Sequence, residues 1–429
     1  MNPTPSPAPK TSLAVRLAQI ALYLGFLGFL WLWSMSVVFL PGPATQWLEW
    51  SLILAFFGLI VSAFWRKVRM FETWRSVGIG AALFGFLLVW LAWDDAAFTH
   101  PLTLNDLSPA PKQAAESYQL TLAYNQIDGK TARGELPSAK FYLKNSPDTK
   151  PEAWRAEIVK EREKIAAEWT TLTPVRDWIA ELDRFPAIGD FPEATYDSRI
   201  MNTSPLRRVV DIACAQAALL ALDGKGDEAF ATLRPVLSVL FKLERHGRSE
   251  VRLLTASRAI NRACATAQFV LATTAVSAAE RSALAATITE RDTRSVAHRL
   301  AWLPYVFAYE GIRKNPGEMF GFVANEMGAR QTWAVTLMSV VRPFILLPKQ
   351  TANLIARFSD AAEQVLLESG SESFSPGGAT VLRELNSGSP KNFGGRVLIM
   401  IAIPNYKQMG ENLRSGEAAR VRLLAELKH

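Results

Sequence analysis

Three strongly apolar stretches, with one charged residue among them, fall within the first 93 residues and constrain this chain more than anything else in it. Residues 17–40 carry no charged side chain in 24 positions. A helix rises about 1.5 Å per residue, so about 20 apolar residues cross the hydrocarbon core of a bilayer. Pro41, Gly42 and Pro43 then stop the helix. Residues 47–65 form the second stretch; its one charge, Glu49, stands between Trp47 and Trp50 and reads as an interfacial carboxylate in an aromatic belt. Residues 77–93 form the third, closed by Asp94 and Asp95. A signal peptide has a shorter apolar region ending at a small-residue cleavage site, and it would not be followed by two more such stretches. The expectation is three transmembrane helices, 17–40, 47–65 and 77–93, with residues 1–16 a disordered tail.

Lys and Arg in short loops set the orientation. The tail holds Lys10 and Arg16, the first loop holds neither, and the second holds Arg66, Lys67, Arg69 and Arg75. All of this places the N-terminus in the cytoplasm and the remainder across the membrane. In a bacterium that means the inner membrane, with a periplasmic or extracellular C-terminal domain. Small residues four apart, Gly58 with Ser62, Gly78 with Ala82 and Ala81 with Gly85, are expected to let the helices approach closely.

Beyond residue 93 the polarity is ordinary and the apolar period is helical. Residues 94–150 read as a linker with one helix (110–127) and a loop or short strand near Lys140. Residues 151–429 read as a helical extramembrane domain, with helices expected over 152–169 and 319–341 among others, interrupted by an irregular segment at 186–205 and a flexible Ser/Gly-rich loop at 369–395. The clearest unit is a hairpin over 205–243. Leu206, Val210, Cys214, Ala217 and Leu220 make one apolar stripe, and Phe230, Leu233, Val236, Leu237 and Leu240 make another. Residues 221–229 (ALDGKGDEA) resemble the turn of a tetratricopeptide-type hairpin. The resemblance covers one hairpin of about forty residues, with no second copy at the roughly 34-residue period of such repeats. The expected fold class is therefore all-α: three transmembrane helices followed by a solenoid-like array of helical hairpins.

The chain lacks the parts for several chemistries. There is no Gly-x-Ser-x-Gly elbow, no phosphate-cradling Gly-x-x-x-x-Gly-Lys and no His-Glu-x-x-His, and the four His are scattered. No cofactor or metal is expected. The net charge of +7 comes without a dense basic block, so nucleic acid is not an expected partner. Arg245, Arg248, Arg252, Arg258 and Arg262 recur at helical spacing and form a candidate face for an anionic ligand, against the plainer reading of a solvated face paired with nearby carboxylates. Cys214 and Cys264 lie on apolar faces, which suits buried thiols; outside a reducing cytosol they are also a candidate disulfide. The apolar segment 333–347 is too short to span. It reads as core, or as a membrane contact in which Trp333, Arg342 and Lys349 meet the bilayer. The expected function is a membrane-anchored binding or scaffolding protein of the cell envelope, in contact with the lipid bilayer and a protein partner. The alternative is a motif-poor membrane-bound enzyme acting on lipid or cell-wall material, with its site in residues 186–205.

Overall fold

The computed structural model describes residues 13–39, 45–64, 73–94, 97, 102–108, 116–117, 130–131, 134–135, 143–188, 204–288, 292–314, 346–368, 381–383, 385, 391–392, 395–396, 399 and 406–428. These are helical apart from turns and one two-residue antiparallel pairing, β1 (Lys130–Thr131) with β2 (Gly134–Glu135). The chain divides into two units. The first comprises Met1–His100, Gly311–Phe358 and Pro376–Ile403, and the second Pro101–Glu310, Ser359–Ser375 and Pro404–His429.

In the first unit α1 (Leu13–Phe39) packs against both α2 (Thr45–Phe64) and α3 (Trp74–Ala92). Helix α1 starts four residues before the expected span, because Val15 belongs to its packed face with Leu22 and Val77. Thr73 and Ser76 form a reciprocal capping box that starts α3. Phe26 meets Phe84 edge-on at 5.4 Å, and the Tyr23 hydroxyl donates to the Ser62 carbonyl at 3.0 Å. The close approach falls at Gly25, where a Cβ would stand 2.7 Å from the Phe84 ring. At Gly58, Gly78 and Gly85, where the spacing of small residues suggested contact, a Cβ would meet nothing.

Among the described residues, two stretches are long and apolar enough to cross a membrane, Leu13–Ser34 and Trp74–Ala92. Three were expected. In α2 the apolar stretch among the described side chains is Ser51–Ser62, and the Glu49 side chain lies outside them. Only 17% of each qualifying stretch is buried, whereas the core helix of a water-soluble protein is mostly buried. The large side chains Leu24, Leu54, Phe57, Leu83 and Phe86 all face outward.

The second unit has a conventional apolar core. After α4 (Leu104–Leu107), three short helices follow: α5 (Pro151–Lys160), α6 (Arg162–Thr171) and α7 (Thr173–Asp183). The single helix expected over 152–169 is broken at Glu161, whose backbone leaves helical geometry. The hairpin is α8 (Ser204–Leu222) and α9 (Gly226–His246). Its turn is a Schellman cap: Lys225 N–H reaches the Leu220 carbonyl, Gly224 N–H reaches that of Ala221, and Gly224 takes φ +75. A left-handed backbone of that kind is why glycine stands there.

Helix α10 (Glu250–Thr273) packs on α8 and α9, and α11 (Ala278–Thr287) packs on α9. The C-terminal helix, α14 (Tyr406–Lys428), returns to cover α10 and α11. Between them in sequence run α12 (Thr293–Lys314) and α13 (Pro348–Leu367). Phe230, Leu233, Leu237, Leu240, Ile260, Ala263 and Leu423 share one core in which each is fully buried. A buried pair, Arg208 with Glu168, links α8 to α6. The helix expected over 110–127 lies almost entirely outside the described residues, as do most of 186–205, 319–341 and 369–395.

Candidate functional site

A cleft of about 620 Å³ in the second unit opens where α5, α10, α11 and α14 meet. Its walls follow from local packing. Pro151 starts α5 and turns Trp154 inward, and the Trp154 ring meets Phe269 edge-on at 5.7 Å. On the rim the Arg155 guanidinium stands 5.9 Å over the same Phe269 ring. Ala265, Leu271 and Ala272 of α10 complete the apolar surface. Arg281 and Glu426 are the charged side chains in the lining. Gln268 donates to the Glu426 carboxylate at 3.1 Å. The Arg281 Nε–H is buried and meets no acceptor among the described residues. An orphaned buried donor costs free energy that an incoming acceptor removes. The arrangement is a mainly apolar surface bordered by Arg281, Gln268 and Glu426. It is suited to holding an apolar side chain beside a polar group, and among the described residues its lining has no pair of carboxylates for acid–base chemistry.

A second cleft of about 400 Å³ lies between α7 and the α8–α9 hairpin. The Arg176 guanidinium stacks 3.9 Å over Trp169. Two carboxylates line it, Asp177 and Glu228, but both are exposed, and Lys225 pairs with Glu228 at 3.4 Å. Acid–base catalysis by carboxylates relies on partial burial that this rim does not provide.

The five arginines singled out by spacing do not form one exposed face. Arg245 and Arg258 are exposed, while Arg248 and Arg252 are buried. Arg248 donates to the Ser108 carbonyl at 2.7 Å and to the Asn105 side chain, tying α4 to the start of α10. Arg262 pairs with Asp211 and donates to Ser146 at 3.0 Å. The Arg248 and Arg262 guanidiniums therefore serve packing. Arg299, one residue after His298, does the same: it donates to the Glu244, Arg245 and Gly247 carbonyls and so closes the end of α9.

Cys214 and Cys264 are both buried and are not joined in the candidate disulfide. Burial pushes the Cys214 thiol up to about 12, which leaves no thiolate for nucleophilic work near neutral pH. His298 bonds Glu363 at 2.8 Å, and the Trp302 indole donates to the same carboxylate oxygen at 3.2 Å. His298 is thus a packing residue, and among the described residues no group of His, Cys, Asp and Glu is arranged to hold a metal.

Of the candidate membrane contacts, Trp333 and Arg342 lie outside the described residues. Lys349 is exposed on the first turn of α13. Its backbone N–H donates to Asp94 at 2.8 Å, and that of Gln350 to the same carboxylate at 3.2 Å. Asp94, read in the sequence only as the exit from the third apolar stretch, therefore caps a helix some 255 residues away. Comparison of the chain with known family models, curated proteins and solved structures finds no match.

Proposed function

We propose that this chain is a membrane-anchored binding protein. Three helices cross the bilayer, the N-terminus is cytoplasmic, and the second unit is held on the opposite face as a solenoid-like platform of helical hairpins. In a bacterium the location is the inner membrane, with the platform in the periplasm. Two long apolar helices with outward-turned Leu and Phe side chains support the anchor, and the Lys and Arg distribution supports the orientation.

The platform's partner is a protein segment that docks in the Trp154–Phe269 cleft. The carrying observation is the unpaired Nε–H of Arg281, a residue that lines a mainly apolar cleft together with Gln268 and Glu426. An apolar side chain would cover Phe269 and Leu271, while a backbone or side-chain oxygen satisfies Arg281.

Site-specific photocrosslinking in intact membranes tests this. A crosslinker at Ala272, on the exposed rim, is expected to trap one discrete partner, and one at Lys160, outside the cleft, is not. Phe269→Asp is expected to abolish the Ala272 adduct. Equal adducts from both positions, or an adduct that survives Phe269→Asp in a folded protein, would remove the cleft as the docking site.

A further inference from the structure

The far end of α3 carries more than a membrane-crossing helix needs. Ile79, Leu83, Phe86, Trp90 and Trp93 follow one another at spacings of four, three, four and three, which makes a single stripe along the helix. All five are exposed, from 38% at Trp90 to 68% at Phe86. From Ile79 to Trp90 the stripe runs about 16 Å, roughly half of a hydrocarbon core. Two lysines stand where it ends. The Lys391 Nζ lies 5.8 Å over the Trp90 ring, and Lys349 is exposed on the first turn of α13. Asp94, Trp93 and Ala97 hold that turn in place: Asp94 accepts two backbone N–H groups, the Gln350 amide donates to the Trp93 carbonyl at 3.5 Å, and the Asn353 amide to that of Ala97 at 2.7 Å.

We infer that the end of α3 is a binding site for an anionic phospholipid, whose phosphate is held by Lys349 and Lys391 and whose acyl chain lies along the Ile79–Leu83–Phe86 stripe. The inference rests on α3 crossing the bilayer, and goes beyond the anchor by specifying one lipid class and its contacts. The helix N-terminus is not itself the phosphate site, because Asp94 already takes the N–H groups of Lys349 and Gln350. Attraction therefore comes from the two side-chain ammoniums, with Asp94 offsetting part of it. Trp90 and Trp93 suit the same depth, since indoles favour the headgroup level. A free phosphate ion would use the lysines but not the apolar stripe, and that separates the two ligands.

The full-length protein in mild detergent, examined by native mass spectrometry, provides the test. Phosphatidylglycerol, phosphatidylcholine and inorganic phosphate are added in separate arms. Wild type is expected to retain one phosphatidylglycerol in preference to phosphatidylcholine. The double variant Lys349→Gln, Lys391→Gln is expected to lose roughly tenfold in phosphatidylglycerol retention, with phosphatidylcholine unchanged. Lys349→Arg with Lys391→Arg is expected to restore it. Equal phosphatidylglycerol retention by wild type and the Gln variant overturns the site. Phosphate retained by wild type and lost in the Gln variant, without a lipid preference, makes it an ion site and overturns the lipid assignment. A protein that inserts into liposomes but shows no lipid preference sinks this inference alone. A protein that stays soluble without detergent sinks the anchor as well.

Discussion

Helices α3 and α10 are both long and rich in apolar residues, yet they turn opposite faces to their surroundings. Over 19 residues α3 buries Val77, Gly80 and Leu91 and leaves Ile79, Leu83, Phe86 and Val89 exposed. Over 24 residues α10 buries Leu253, Ile260, Ala263 and Ala267, and it also buries polar groups that find partners, as when the Asn261 amide donates to the Asn412 carbonyl at 3.0 Å. An exposed apolar face of that extent is not tolerated in water unless something covers it. The contrast teaches that hydrophobicity alone does not say where a side chain points. The surroundings decide: water drives the apolar face of α10 inward, and on the proposed membrane placement acyl chains cover that of α3.

Substitutions that act on one helix type and spare the other sharpen the contrast. The largest effect is expected in the water-facing core. Phe230→Ala removes a fully buried ring from α9 and should cost about 3–5 kcal/mol, read as a lowered unfolding midpoint by circular dichroism. Next comes Phe86→Arg, which puts a charge on the outward face of α3. Insertion should weaken by about 2.5–3.5 kcal/mol if that residue is near the bilayer centre, read as a larger soluble or degraded fraction. An unchanged membrane fraction would place Phe86 outside the hydrocarbon.

Glu250 is a subtler probe. Burial raises its carboxyl from 4.5 to about 7. The folded form then holds a proton that the unfolded chain releases, so stability falls as pH rises from about 4.5 to 7. Glu250→Gln should leave stability at pH 4 nearly unchanged and raise it at pH 8 by on the order of 2 kcal/mol. Parallel stability–pH curves for the two proteins would contradict this. The smallest effect belongs to Arg162→Ala. Its pair with Asp223 measures 2.8 Å, but both side chains are more than 40% exposed, so the expected loss is below about 1 kcal/mol and shrinks with salt.

Much of the fold was legible because apolar period and turn chemistry are local. The stripes through Leu206 and Phe230 locate α8 and α9, and Asp223-Gly224-Lys225 locates the turn between them. The bends and ties were not legible. Nothing in residues 152–169 announces the break at Glu161. The arginine pattern suggested a solvent face because Arg248 finds its partners 140 and more residues away in α4, which spacing along one helix does not reveal. Asp94 was read for its charge beside an apolar stretch, while its role depends on α13 arriving from the far end of the sequence. The cleft was missed for the same reason: Pro151, Phe269, Arg281 and Glu426 come from four segments, none with a motif of its own.

The central claim is that the apolar helices cross a bilayer and hold the second unit beyond it. Protease added to intact spheroplasts that carry the N-terminally tagged full-length protein tests this most directly. The expected result is a short protected tagged fragment containing α1 to α3, with everything after it digested. A full-length chain that survives outside treatment, yet is cleaved once the spheroplasts are lysed, would contradict it.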